Sequence, residues 1–172
     1  MSTQLTTQTT GSTTSTIGLN ATDLEPTVQA LNVLLSDFHV HYQNLRNFHW
    51  NVYGENFFTL HEQFETMYTD MLDKIDKTAE RILSLGFQPL STLAQFLNNS
   101  NLNEPTSYPP PKEMVRFLLD DYQILAPNMR DLIQTAQGVG DEGTSDMVTD
   151  FLKDLEKNTW MLNAFLEPTP TT

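Results

Sequence analysis

LEPTVQALNVLLSDFHVHYQNLRNFHW, Leu24 to Trp50, places Leu24, Val28, Leu31, Leu35, Phe38, Tyr42, Leu45 and then His49 at alternating steps of four and three. That rhythm is the period of a long amphipathic helix, with His49 in register on the apolar stripe. Downstream, Val52 to Asn56 reads as a short turn, after which Phe57, His61, Phe64, Tyr68, Ile75, Ala79 and Ile82 continue the period as far as Gly86 and Pro89. The second helix therefore runs antiparallel to the first. Ser91 to Asn98 can form a short helix, and Asn99 to Pro111 reads as a loop rich in Asn and Pro. From Lys112 to about Gln137, helical periodicity resumes through Met114, Phe117, Leu118, Tyr122 and Leu125, with Pro127 able to kink it. Gly138 to Gly143 breaks the chain. Thr144 or Ser145 can then cap a last helix carrying Met147, Phe151, Leu155, Met161, Leu162 and Phe165, which Pro168 and Pro170 end. Upstream of Leu24, Thr22 or Asp23 can cap the first helix. Residues 1–20 are almost wholly Ser, Thr, Gln and Gly, a mobile tail by composition. These observations predict an all-α four-helix bundle over 21–166, with a long crossover between its second and third long helices and a short tail at 167–172.

With 22 acidic against 9 basic residues in 172, the net charge is -13. A polyanion such as DNA is repelled at long range and small cations are attracted. The absence of cysteine excludes disulfides, thiolate metal sites and a thiol nucleophile. No signal-like N-terminus and no run of about 18 apolar residues is present, so a soluble cytoplasmic protein without membrane contact is expected.

Ligand chemistry is concentrated in two segments: His49-Trp50-x3-Gly54-x2-Phe57-Phe58-x-Leu60-His61-x3-Glu65, and Asp76-x3-Glu80-Arg81. Two imidazoles and three carboxylates at positions expected to point inward suit iron, and zinc or manganese equally. On an ideal helix His61, Glu65, Asp76 and Glu80 fall at roughly 0°, 40°, 60° and 100°, one wedge. Glu65 and Asp76, however, are separated by ~16 Å along the axis, while a ligand must lie ~2.0–2.2 Å from its metal. A two-fold dimer resolves the conflict, because each chain can lend its acidic end to the histidine end of the other. Ile75, Ala79 and Ile82 suggest that Asp76 and Glu80 lie on a partly buried surface, whereas the interleaved Lys74, Lys77 and Arg81 favour an ordinary solvated face. Trp50 reads by default as a core aromatic, and His39 and His41 as surface or polar-contact residues. His61-Glu62-x2-Glu65 lacks the second histidine of a zinc-protease HExxH motif, and no histidine has Glu three residues before it as in ordinary ferritin-like di-iron bundles.

The same two segments, with the tripeptide Ala79-Glu80-Arg81, closely resemble the Dps family, the bacterial mini-ferritins. The resemblance implies a ferritin-like bundle with a short helix in its long connection, assembled as a hollow homododecamer. It further implies ferroxidase sites at the two-fold interface, with His49 and His61 from one subunit and Asp76 and Glu80 from the other. Glu65 stands where Asp is usual and is carried over as a further ligand, and Trp50 matches a tryptophan linked to electron transfer. The implied reaction is oxidation of Fe(II) by hydrogen peroxide or dioxygen, two irons per site, followed by ferric deposition that protects against oxidative stress. Asp141, Asp146 and Asp150 resemble the family's ion-entry pore carboxylates; a helix N-terminal role is the competing reading for the first two. Unlike family members with a Lys-rich terminus, this chain has no basic residue in 1–20, so direct DNA binding is disfavoured. Two alternatives remain open: a non-catalytic helical assembly that binds DNA or another partner, and a shell that buffers metal without redox turnover.

Overall fold

Five helices make up most of residues 17–167, the part of the chain that the computed structural model describes: α1 (Ala21–Asn51), α2 (Phe57–Ser84), α3 (Leu93–Asn99), α4 (Pro111–Gly138) and α5 (Glu142–Leu166). The tail at 1–16 and residues 168–172 lie outside it. Asn20, rather than Thr22 or Asp23, caps α1, its Oδ1 accepting from Thr22 N–H at 3.0 Å. Thr92 and Gln95 form a reciprocal capping box that starts α3. At the far end of α2, Phe87 N–H reaches the Ile82 carbonyl and Gly86 N–H the Leu83 carbonyl, the paired bonds of a Schellman stop. Pro111 occupies the first turn of α4, where its missing N–H costs nothing, and α4 runs on through Pro127 to Gly138.

Side-chain pairs fix the topology. His41 and Phe48 of α1 meet Asp121 and Phe117 of α4, so these two helices are antiparallel. Lys74 and Arg81 of α2 meet Asp154 and Asp141, the latter at the start of α5, which makes that pair antiparallel as well. Helices α2 and α4 therefore run in the same direction, and the chain between them must travel the length of the bundle, carrying α3 on the way. This is the bundle with one long crossover that the hydrophobic periodicity predicts. Phe38, Phe48 and Phe64 are fully buried at its centre, each contributing roughly 1.5–3 kcal/mol by leaving water.

Two of the four histidines hold this frame. His39 lies flat on Phe96 of α3, ring centroids 3.7 Å apart, and burial lowers its pKa. His41 is wholly buried rather than at the surface, its Nδ1 bonded to Asp121 at 2.8 Å, while Asn44 joins the same carboxylate and the Asn103 carbonyl of the crossover. Asp37 anchors the crossover nearby, accepting from Ser100 and Asn101; burial raises its pKa against the pull of those bonds. Asp121→Ala strands two polar side chains in the interior. It is expected to lower the unfolding free energy by about 1–3 kcal/mol, read as a lower urea midpoint; an unchanged midpoint would contradict a structural role for this network.

Candidate metal centre

The turn between α1 and α2 sets the histidine end of the site. Gly54 takes φ +85°, a backbone state that side-chain-bearing residues rarely adopt, and the chain reverses there within five residues. His49, near the end of α1, thereby faces His61, in the second turn of α2. Each Nδ1–H donates to the other's backbone carbonyl, both at 2.8 Å, and the rings stack with centroids 3.8 Å apart. A carbonyl can only accept, so both Nδ1 atoms carry protons, which leaves Nε2 as the nitrogen of each ring that can bind a metal. Two adjacent nitrogen donors with fixed tautomers are what a borderline divalent cation requires. Phe57 stacks on His61, and the edge of Tyr68 meets His49, which is only 9% exposed.

The carboxylates lie differently from the sequence expectation. Glu65, Asp76 and Glu80 do not point into the bundle and are not partly buried; all three are exposed on the outer face of α2. The helix is unbroken from Phe57 to Ser84, so the axial gap between Glu65 and Asp76 stands. Among the described residues, no three His, Asp or Glu side chains gather as a metal site within the single chain. The cations that sequence places beside Asp76 and Glu80 are committed elsewhere. Lys74 binds Asp70 and Asp154, Lys77 binds Asp73, and Arg81 binds Asp141. Asp76 and Glu80 are thus exposed acids that none of these three cations neutralises.

Apolar residues interleave with these acids. Phe58, Leu72 and Leu83 are 84%, 52% and 51% exposed. On the helical wheel they fall at roughly 60°, 20° and 40°, inside the wedge of about 0° to 100° that runs from His61 to Glu80. Large apolar side chains left in water along one stripe mark a surface awaiting a partner.

Trp50 is not a core aromatic. It is 57% exposed beside His49, with the Arg46 guanidinium 4.6 Å above its ring. Among the proposed pore acids, Asp141 is withdrawn. Its carboxylate is fully buried, accepts from Thr144 N–H as the N-cap of α5, and is paired with Arg81. The cap is therefore Asp141 rather than Thr144 or Ser145. The start of α5 passes so close to Arg81 that a Cβ at Gly143 would stand 2.9 Å from its guanidinium. Asp146 and Asp150 are exposed, Asp150 beside Lys153 at 2.9 Å. Sequence reasoning singled out neither the Arg81–Asp141 pair nor the contact of Tyr68 with Glu65, because both depend on which side chains meet after folding.

Known proteins can be set against this geometry. The family model for the ferritin-like domain matches residues 28–171. A DNA protection during starvation protein of Brevibacillus brevis is 43% identical over 137 residues, covering 80% of this chain and 92% of the relative. DNA protection during starvation protein 2 of Bacillus anthracis is 39% identical over 139 residues, covering 81% and 95%. The crystal structure of a Dps protein from Vibrio cholerae, described as a member of a broad superfamily of ferritin-like diiron-carboxylate proteins, superposes with a TM-score of 0.89 at 39% identity. That match covers 91% of this chain and 99% of the other.

Proposed function

Because the chain belongs to the Dps family of ferritin-like proteins, we propose that it stores iron and protects against oxidative stress by oxidising Fe(II) at sites shared between two subunits. The observation that carries this reading is the reciprocal His49–His61 lock, which engages both Nδ1 atoms and leaves Nε2 of each of the two stacked rings for a metal. In the proposed dimer the outward wedge of α2 meets its symmetry copy, covering Phe58, Leu72 and Leu83 and bringing Asp76 and Glu80 to the other chain's histidines. Neutral imidazoles and ionised carboxylates suit Fe(II) as the substrate, and zinc or manganese can compete for the same donors. Glu65 supplies a further carboxylate toward a second iron.

In the proposed reaction two ferrous ions each give one electron to hydrogen peroxide, which takes up two protons and leaves as two waters. Pairing the electrons in one place avoids one-electron cleavage to hydroxyl radical. Trp50, beside His49, is a proposed electron-transfer residue. Twelve such chains would enclose a mineral cavity, and Asp146 and Asp150 would ring an entry path for cations. No helix among the described residues is long and apolar enough to cross a membrane.

Anaerobic addition of Fe(II) followed by peroxide is expected to raise ferric absorbance at a ratio near two irons per peroxide. Unchanged absorbance would overturn the redox reading in favour of metal buffering. Direct DNA binding is not part of the proposal, since a chain of net charge -13 is repelled by the duplex. Protection is then chemical, through removal of Fe(II) and peroxide. Retention of DNA in a low-salt gel shift would contradict the charge argument and support a DNA-binding assembly.

A further inference from the structure

Tyr68 lies one helical turn after Glu65 and in the groove between α1 and α2. Its hydroxyl donates to Glu65 Oε1 at 3.3 Å. Its ring is held on two sides, edge-on to His49 at a centroid distance of 5.3 Å and to Tyr42 at 6.1 Å. One half-buried side chain thus touches a carboxylate and an imidazole of the candidate centre at once. Glutamate has a three-torsion side chain, and an exposed one samples many rotamers; ordering it costs free energy that a metal must otherwise supply on binding. A phenol fixed by packing can bear part of that cost beforehand. With Oε1 engaged, Oε2 remains for a cation. Aspartate at the same place, one methylene shorter, would fall away from the hydroxyl.

We infer that Tyr68 is a positioning residue: it orients Glu65 toward the metal beside His49 and His61 and thereby sets the affinity of the position that Glu65 serves. The inference rests on the proposed ferroxidase reading and goes beyond it in naming what holds the weaker ligand. Outer-sphere hydrogen bonds to ligands are worth about 10–100-fold in metal affinity. A neutral hydroxyl bond of this length belongs at the lower limit.

The test is Zn(II) titration of the full-length assembled protein by calorimetry, which needs no turnover. Tyr68→Phe keeps the ring against His49 and Tyr42, so the thermal midpoint is expected to hold while the Glu65-dependent binding event weakens about 10-fold. In a Glu65→Asp background the same Tyr68→Phe change is expected to cost less than about 2-fold, because the partner is already out of reach. Equal losses in the two backgrounds, or no loss in either, would overturn the role of Tyr68 and leave the ferroxidase reading standing. Failure of the unmodified protein to bind Zn(II) through His49 and Asp76 would overturn both.

Discussion

Two inactive variants, combined, are expected to make an active protein. His61→Ala removes an imidazole and Asp76→Ala a carboxylate, and each alone should slow peroxide-driven Fe(II) oxidation by no less than about 10–100-fold, since a lost ligand costs no less than a lost outer-sphere partner. The two positions are fifteen residues apart on one unbroken helix, ~22 Å along its axis, so they cannot serve the same ion within one chain. In a dimer of one His61→Ala chain and one Asp76→Ala chain, one site loses both ligands and the other keeps both. Random reassortment makes half the dimers mixed, so about a quarter of all sites should regain full function. Dissociating the variants, mixing them and reassembling them gives that measurement. No recovery in the mixture, with each variant shown to reassemble, would mean that both ligands come from one chain, which the axial gap forbids for this fold. The same experiment separates a shared site from a monomeric one without any metal-bound structure.

The other large effect is on stability. Asp141→Ala is expected to lower the unfolding free energy by about 3–5 kcal/mol, because it removes the N-cap of α5 and leaves the Arg81 guanidinium without its carboxylate in a largely enclosed position. Asp141→Asn separates the two contributions: asparagine caps as well as aspartate does but carries no charge, so the loss should be intermediate. Asp146→Ala, at an exposed position in the same helix, is expected to stay within about 0.5 kcal/mol of the unmodified chain. Chemical denaturation of the three variants measures all of this. If Asp141 instead lined an entry path, its alanine variant would slow iron uptake with stability intact; here the loss of stability is expected. Arg81 follows Glu80 directly, so loosening the anchor should also misplace that ligand. Activity in Asp141→Ala is therefore expected to fall through Glu80, together with the melting temperature.

These expectations differ in how much of them could be seen in the chain alone. The helices, their order and the crossover were legible because apolar periodicity is a one-dimensional property: Leu24 to His49 and Phe57 to Ile82 carry it in their spacing, and Gly54, Gly86 and Pro111 punctuate it. The opposition of His49 to His61 was legible for the same reason, since a turn of five residues between two helices leaves little freedom. The impossibility of a one-chain site followed from the 1.5 Å rise alone.

What sequence could not decide is which side chains meet across 60 to 80 residues of chain, because that depends on how far each helix slides against its neighbours. Interleaved Lys74, Lys77 and Arg81 look like counterions for Asp76 and Glu80; packing sends Lys74 to Asp154 and Arg81 to Asp141, while Lys77 takes Asp73 one turn back on the same helix. Trp50 has the composition of a core residue and lies outside, whereas His41 and Asp141 have that of surface residues and lie inside. The chain by itself determined the bundle, the imidazole pair and the distance that separates it from the acids. The tertiary structure decided which charges stay uncompensated, and it did so because burial and ion pairing are set by the interhelical register, which no local spacing encodes.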